Sequence, residues 1–220
     1  MGMGIEVRNK IARRAALEVK NHTVVNLGIG IPSLVPNHLS PSLNVMFHAE
    51  NGVLGMGPSP EVGFEDGNLC NAGGLPVSIM PGASYCDSSI AFGMIRRGLI
   101  DLTILGALQV SQHGDLANWI VPGKRVPGMG GAIDLAQKAK RVIVLMNHTN
   151  KDGSPKIVKS CTIPITAKNC VNMIITELAV MEFTQEGLRL IEIMNPYNLR
   201  DVLENTESEL LVDREILFVD

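Results

Sequence analysis

The sequence predicts an α/β fold built on an open, largely parallel sheet flanked by helices. Apolar runs of strand length recur along the chain, segments with apolar residues at helical spacing separate several of them, and Gly- or Pro-bearing stretches stand where strands end. With 220 residues, 45% of them apolar and 19% charged, the chain can bury one substantial core and is too apolar to remain disordered. Residues 1–220 therefore read as a single domain.

The elements follow in order. Ile11, Ala15 and Val19, with Ala12 and Ala16 beside them, form an apolar stripe at helical spacing, while Arg13, Arg14 and Lys20 lie off it. A strand is expected at Thr23–Leu27, then Gly28-Ile29-Gly30-Ile31-Pro32, where Pro32 is placed to open a helix. Leu43, Val45, Met46 and Phe47 lead a second strand into Glu50. Further strands are expected near Val77–Met80, Leu102–Leu105, Val142–Met146, Val171–Ile175 and Leu188–Ile193, with helices at Ser89–Arg97 and Ile133–Lys140. Asp87 or Ser88 supplies the cap of the first of these helices. Residues 147–160 are polar, contain Gly153 and Pro155, and read as an exposed loop or hairpin.

Composition removes several function classes. A net charge of −3 argues against nucleic acid or a membrane surface as partner, because both call for clustered basic excess. Cys70, Cys86, Cys161 and Cys170 lack Cys-x-x-Cys pairing, and the five histidines show no ligand spacing, so no metal is expected. The start of the chain is charged and amphipathic, and no apolar run reaches membrane-spanning length. The expectation is a cytoplasmic protein with reduced thiols.

Three segments carry candidate chemistry. In His48-Ala49-Glu50-Asn51-Gly52, an acid closes a strand and is followed by Gly52, Gly55 and Gly57. Such glycines leave little bulk around a carboxylate and allow a ligand to approach, although a strand-end acid facing water gives the same pattern. His48, two residues before Glu50, would share its face in a strand. The second segment, Gly28-x-Gly30 with an acid about 20 residues on, outlines a dinucleotide-binding unit in which Glu50 would hold a ribose hydroxyl. Ser33 at the third glycine position and Pro32 near the helix start count against it.

In the third segment, Gly130 and Gly131 sit at a loop-to-helix entry, where outward backbone N–H groups could hold an oxyanion or the glycines could simply serve a tight turn. Lys124 and Arg125 precede them and could meet phosphate. Asn71–Pro76, with Gly73 and Gly74, and Pro81–Tyr85 read as loops at strand ends, where open α/β sheets contact ligands. Asp115, Asn118 and Trp119 form a polar set that could equally be a buried network.

The run His48-Ala49-Glu50-Asn51-Gly52-Val53-Leu54-Gly55-Met56-Gly57 resembles the glutamate signature of the 3-oxoacid CoA-transferases. Met94-Ile95-Arg96 through Ser111, Gly114-Asp115-Leu116-Ala117-Asn118-Trp119 through Lys124, and Gly128-Met129-Gly130-Gly131-Ala132 are similar to that family in the same order. The resemblance covers about residues 6–182, leaving 183–220 outside the motif-bearing core, and the length matches the family's separate beta chain. Ala49 stands where the family usually has serine.

The resemblance implies a CoA-transferase beta-subunit domain in which Glu50 is the nucleophile and forms a glutamyl–CoA thioester. It implies Gly131, helped by Gly130, as oxyanion donor, and Asn51, Gly52, Gly28, Gly30, Gly73 and Gly74 as candidate contacts to substrate or CoA. It further implies coenzyme A as substrate, no permanently bound cofactor, and an alpha-subunit partner in an α2β2 assembly. A dinucleotide-dependent oxidoreductase and a catalytically silent ligand-sensing chain are the alternatives. Which acids are exchanged is not written in the motifs.

Overall fold

A computed structural model describes residues 4–120, 123 and 130–220. The first half runs α1 (Ile5–Ala16), β1 (Thr23–Leu27), a 3-10 helix (Pro32–His38), β2 (Val45–Ala49), β3 (Val53–Met56), β4 (Ile79–Tyr85), α2 (Ser88–Arg96) and β5 (Leu102–Gly106). The second half runs β6 (Gln109–Ser111), β7 (Leu116–Ala117), α3 (Ala132–Lys138), β8 (Val142–Leu145), β9 (Ile157–Val158), β10 (Met173–Ile175), β11 (Ala179–Phe183), β12 (Leu188–Met194), α4 (Leu199–Glu204) and β13 (Leu211–Val219).

One sheet takes ten of these strands in the order β13-β12-β11-β10-β8-β5-β1-β2-β3-β4. Its centre, β10-β8-β5-β1-β2, is parallel. Antiparallel pairings flank that centre on both sides, through β3 and β4 at one edge and β11 and β12 at the other. The α/β class is as expected, with the antiparallel edges added. A small sheet, β7-β6-β9, lies beside it.

The central strands are rich in Val, Ile and Leu because both of their faces are covered. Side chains alternate between two cores. Ile104, Ile143 and Val25 pack with Ile11 and Ala15 of α1 and with Val35 of the 3-10 helix. Leu105, Val144 and Ile174 pack with Ile95 of α2, Leu135 of α3, and Val110 and Ile157 of the small sheet.

Four expectations change. Pro81–Tyr85, expected as a loop, forms most of β4 and pairs with β3. Pro32 opens a 3-10 helix and not an α-helix; Pro36 lies inside it and has no N–H to continue an α-helical ladder. Residues 147–160 do reverse direction, with Thr149 bridged to Pro155, but they end in a buried Lys156 and β9 and are not exposed throughout. The glycines after Glu50 serve the β3–β4 hairpin. A Cβ on Gly52 would fall 2.0 Å from the Cys86 carbonyl oxygen, and one on Gly55 would fall 2.9 Å from Ala83 Cα.

This gives a stability prediction. Gly30 has φ +90° with open space around its missing Cβ, so Gly30→Ala should lose only about 1–2 kcal/mol from the left-handed conformation. Gly52 has φ +101° and must in addition displace a backbone carbonyl, so Gly52→Ala should lose more than about 3 kcal/mol. Urea unfolding of both variants tests the contrast, and equal midpoints would contradict it.

Candidate active site

Sheet order reverses at β1: the chain moves to β2 on one side and to β5, β8 and β10 on the other. Ligands of open α/β sheets bind at such a reversal, outside the carboxyl ends of the strands. The parallel registers Asn26↔His48 and Leu27↔Ile104 bring the ends of β1, β2 and β5 to one rim. Gly28, Glu50 and Gly106 stand there together and line one cavity of about 640 Å³.

Glu50 leaves β2 in a turn closed by the Gly52 N–H donating to the Ala49 carbonyl at 3.0 Å. Asn51 anchors that turn, its Nδ2 donating to the Cys70 carbonyl at 2.8 Å. The Glu50 side chain runs onto Gly131, where a Cβ would lie 2.9 Å from both Cγ and Oε1. Gly131 is buried and caps the start of α3, and Gly130 beside it has φ +55°. Glycine here permits the close approach of a carboxylate far away in sequence, which any side chain would push aside.

Among the described residues, the buried Glu50 Oε2 has no hydrogen-bond partner, and neither has Trp119 Nε1. Both residues line the cavity. An unpaired buried carboxylate oxygen costs stability, so a group of this kind calls for an explanation.

His48 is fully buried beside the end of β2. Its Nε2–H donates to the Ala91 carbonyl of α2 at 3.1 Å, and its Nδ1 accepts from Asn26 Nδ2 at 3.2 Å. Asn26 Oδ1 in turn accepts from Thr103 Oγ1 at 3.4 Å. Burial pushes the His48 pKa down, opposed by the Ala91 bond and the charge of Glu50, so the ring is neutral. It ties β2 to β1, β5 and α2, whereas Glu50 has already left the strand.

The other expected residues divide. Gly130 lines the cavity with Gly131; Asn51 and Gly28 line it as well. Gly30, Gly52, Gly73 and Gly74 are not on its lining. Gly52 is taken up by the hairpin, and Gly73 packs under Ile29, which does line the cavity. Gly74 belongs to a turn closed on the Asn71 carbonyl at 2.9 Å. Lys124, Arg125, Gly128 and Met129 lie outside the described residues.

Asp115 serves structure, accepting from Ser111 Oγ at 2.9 Å and the Asn169 N–H at 3.0 Å. Asn118 does both, accepting from Thr166 Oγ1 at 2.7 Å, donating to the Gly106 carbonyl at 3.1 Å and lining the cavity. Phe92, Ala107 and Leu108 complete the wall; nothing in their local sequence signals that role, which comes from the sheet order. Arg96 bonds Asp134 at 3.1 Å, fastening α2 to the first turn of α3.

No group of three or more His, Cys, Asp or Glu among the described residues could hold a metal ion. Burial pushes the Cys161 and Cys170 thiols up to about 11, so both stay protonated near neutrality. The segment after Gly28-x-Gly30 offers no α-helical N-terminus for a pyrophosphate. The dinucleotide alternative loses its main structural element.

The family model for coenzyme A transferases matches residues 8–205. The chain belongs to the coenzyme A transferase family. A Bacillus subtilis relative, described as the beta chain of a probable coenzyme A transferase, is 59% identical over 213 residues, 97% of this chain and 98% of that one. A Helicobacter pylori (strain 26695) relative, named as a single subunit of a succinyl-CoA:3-ketoacid coenzyme A transferase, is 48% identical over 206 residues, 94% and 99% of the two chains. A human mitochondrial succinyl-CoA:3-ketoacid coenzyme A transferase is 49% identical over 203 residues, which span 91% of this chain and only 39% of that longer one.

Among solved structures, an acyl-CoA transferase from Escherichia coli O157:H7 superposes with a TM-score of 0.76 at 22% identity, covering all of this chain and 44% of that one. The decarboxylase AibA/AibB superposes with a TM-score of 0.67 at 20% identity, covering 98% of this chain and 89% of its own. The coenzyme A transferase fold is thus shared with a protein named for other chemistry. Activity has to be argued from the site.

Proposed function

We propose that this chain is the beta subunit of a CoA-transferase that moves CoA from a short-chain acyl-CoA of the 3-oxoacid type to a free carboxylic acid. The observation that carries this reading is the Glu50 carboxylate, turned out at the end of β2 and pressed against Gly131, with a buried oxygen that has no hydrogen-bond partner among the described residues. The bacterial relatives of similar length, each named as one subunit of an enzyme, support the division into two chains.

In this mechanism Glu50 attacks the thioester carbonyl, the C–S bond breaks, and CoA leaves as thiolate from an acyl-glutamyl anhydride. The thiolate then attacks the glutamyl carbonyl carbon, releasing the first acid as carboxylate and leaving a Glu50–CoA thioester. An incoming carboxylate attacks that thioester, CoA thiolate leaves again, and it captures the new acyl group while Glu50 is regenerated. Protons and electrons balance without a further reactant. The covalent route divides a difficult exchange between two stable species into steps of similar energy.

Each addition places negative charge on a carbonyl oxygen beside Glu50, where the Gly131 N–H, helped by Gly130, acts as donor. Asn51 fixes the turn that aims the carboxylate. The long CoA arm supplies binding energy away from the reacting atoms, which can be used to orient the thioester. CoA enters as substrate and no resident cofactor takes part.

A companion alpha subunit completes the enzyme, in an α2β2 assembly. We expect the isolated chain to be inactive across a panel of acyl-CoA donors and acid acceptors and to gain transfer when the companion is added. Full activity from this polypeptide alone would contradict the two-chain reading. The panel also identifies the acids exchanged.

A further inference from the structure

Beyond the carboxyl ends of β8 and β10, one strand over from the cavity, lies a buried polar cluster that the transfer steps do not use. Lys156 is 8% exposed, and its Nζ donates to the Ala107 carbonyl at 3.0 Å. Its own N–H donates to the His148 carbonyl at 3.1 Å, and its carbonyl accepts from the Val110 N–H at 3.0 Å. The Glu177 carboxylate accepts from the His148 N–H at 3.0 and 3.2 Å. The fully buried His148 ring bonds Thr176 Oγ1 and Thr206 Oγ1, each at 2.9 Å.

Lysine is seldom buried to this degree unless its charge is paired or hydrogen-bonded. The group it grips is informative. Ala107 lies between Gly106 and Leu108, and all three line the cavity. The Gly106 carbonyl is already held by Asn118 and the Leu108 N–H by the Ala117 carbonyl. Lys156 is the anchor for the middle of that wall.

We propose that Lys156 is a positioning residue of the acyl-transfer site, its buried ammonium fixing the Ala107 carbonyl and so the 106–108 wall that lines the cavity together with Glu50. The inference rests on the transferase reading. A charged donor holds a carbonyl more firmly than a neutral amine does, so the wall should loosen when Lys156 loses its proton. Burial pushes its pKa down to about 8, opposed by the charge of Glu177. The charged or titratable groups facing it are Glu177, pushed up by burial, and His148, pushed down to about 4 and therefore neutral.

The sign separates this role from a merely structural one. With a folded pKa near 8 and an unfolded value of about 10.4, the unfolded chain binds more protons between the two, so the contribution of Lys156 to stability rises with pH in that window. Its contribution to the site falls in the same window.

The test is single-turnover formation of the Glu50–CoA thioester by the assembled complex, from about pH 6.5 to 9.5. Lys156→Met removes the cation beside the half-buried Glu177 and could fail to fold, so Lys156→Met combined with Glu177→Gln removes both charges together. Wild type should be roughly 5- to 10-fold faster than the double variant near neutral pH. That advantage should decay with a midpoint near 8, where the ammonium titrates. A rate ratio that stays constant with pH, or a double variant as fast as wild type near neutrality, would overturn the role of Lys156 while leaving the transferase reading in place. Wild type that forms no thioester at any pH would remove that reading and this inference with it.

Discussion

Glu50→Ala should abolish transfer, lowering kcat by at least about 10⁴-fold, the scale expected when a nucleophile is deleted. The same substitution should leave the fold intact. Glu50 sits in a half-buried turn, and its Oε2 has no hydrogen bond to lose among the described residues, so removing an unsatisfied buried oxygen should hold or slightly raise the unfolding midpoint. Inactivity joined to undiminished stability distinguishes a catalytic carboxylate from a structural one. A large fall in stability with partial activity would contradict the role given to Glu50. Glu50→Gln keeps the size and removes the anion, but slow deamidation could regenerate Glu, so Ala is the cleaner variant.

Gly131→Ala should lower kcat by about 10²-fold, the scale of a reacting group displaced by an ångström or less. Its backbone, φ −79° and ψ 0°, suits alanine, so no unfolding is expected. The added Cβ would stand 2.9 Å from Cγ and Oε1 of Glu50, and the carboxylate has to move. Gly131→Pro asks a different question because it removes the N–H itself. If the N–H is the oxyanion donor, the loss should reach at least about 10²-fold with CoA binding retained. Turnover and CoA binding measured side by side decide both cases. Near-normal turnover in a folded Gly131→Ala variant would show that the close contact is not needed for reaction.

Much of the fold was legible because the central strands are covered on both faces and so appear as unbroken apolar runs, as in Leu102–Gly106 and Val142–Leu145. Val53–Met56 escaped notice because Gly55, needed where β3 crosses Ala83, reads as a turn. Ala179–Phe183 pairs antiparallel with both of its neighbours, and only that pairing marks its apolar run as a separate strand. The six-residue α4 is too short to show a period, yet it carried a local signal. Asn198 and Asp201 form a capping box, with the Asp201 carboxylate accepting from the Asn198 N–H at 2.8 Å.

The site was half legible. A carboxylate at a strand end and a glycine pair at a helix entry are local patterns, and both sit on the cavity. The contact between Glu50 and Gly131 depends on sheet order, which no spacing encodes. For the same reason Gly52 looked like a ligand-side glycine, while the fold uses it to pass the Cys86 carbonyl.

The covalent role of Glu50 is tested most directly by trapping. The assembled complex is incubated with acyl-CoA in the absence of an acceptor acid, treated with borohydride, digested and examined by peptide mass spectrometry. Borohydride reduces a thioester and spares free carboxylates, so the expected product is the alcohol of Glu50, found only after exposure to acyl-CoA and accompanied by loss of activity. Glu50→Ala should show no modified peptide. Labelling at Glu61 or Glu65 in place of Glu50 would contradict the assignment of the nucleophile, and an active complex with no label anywhere would contradict the covalent mechanism.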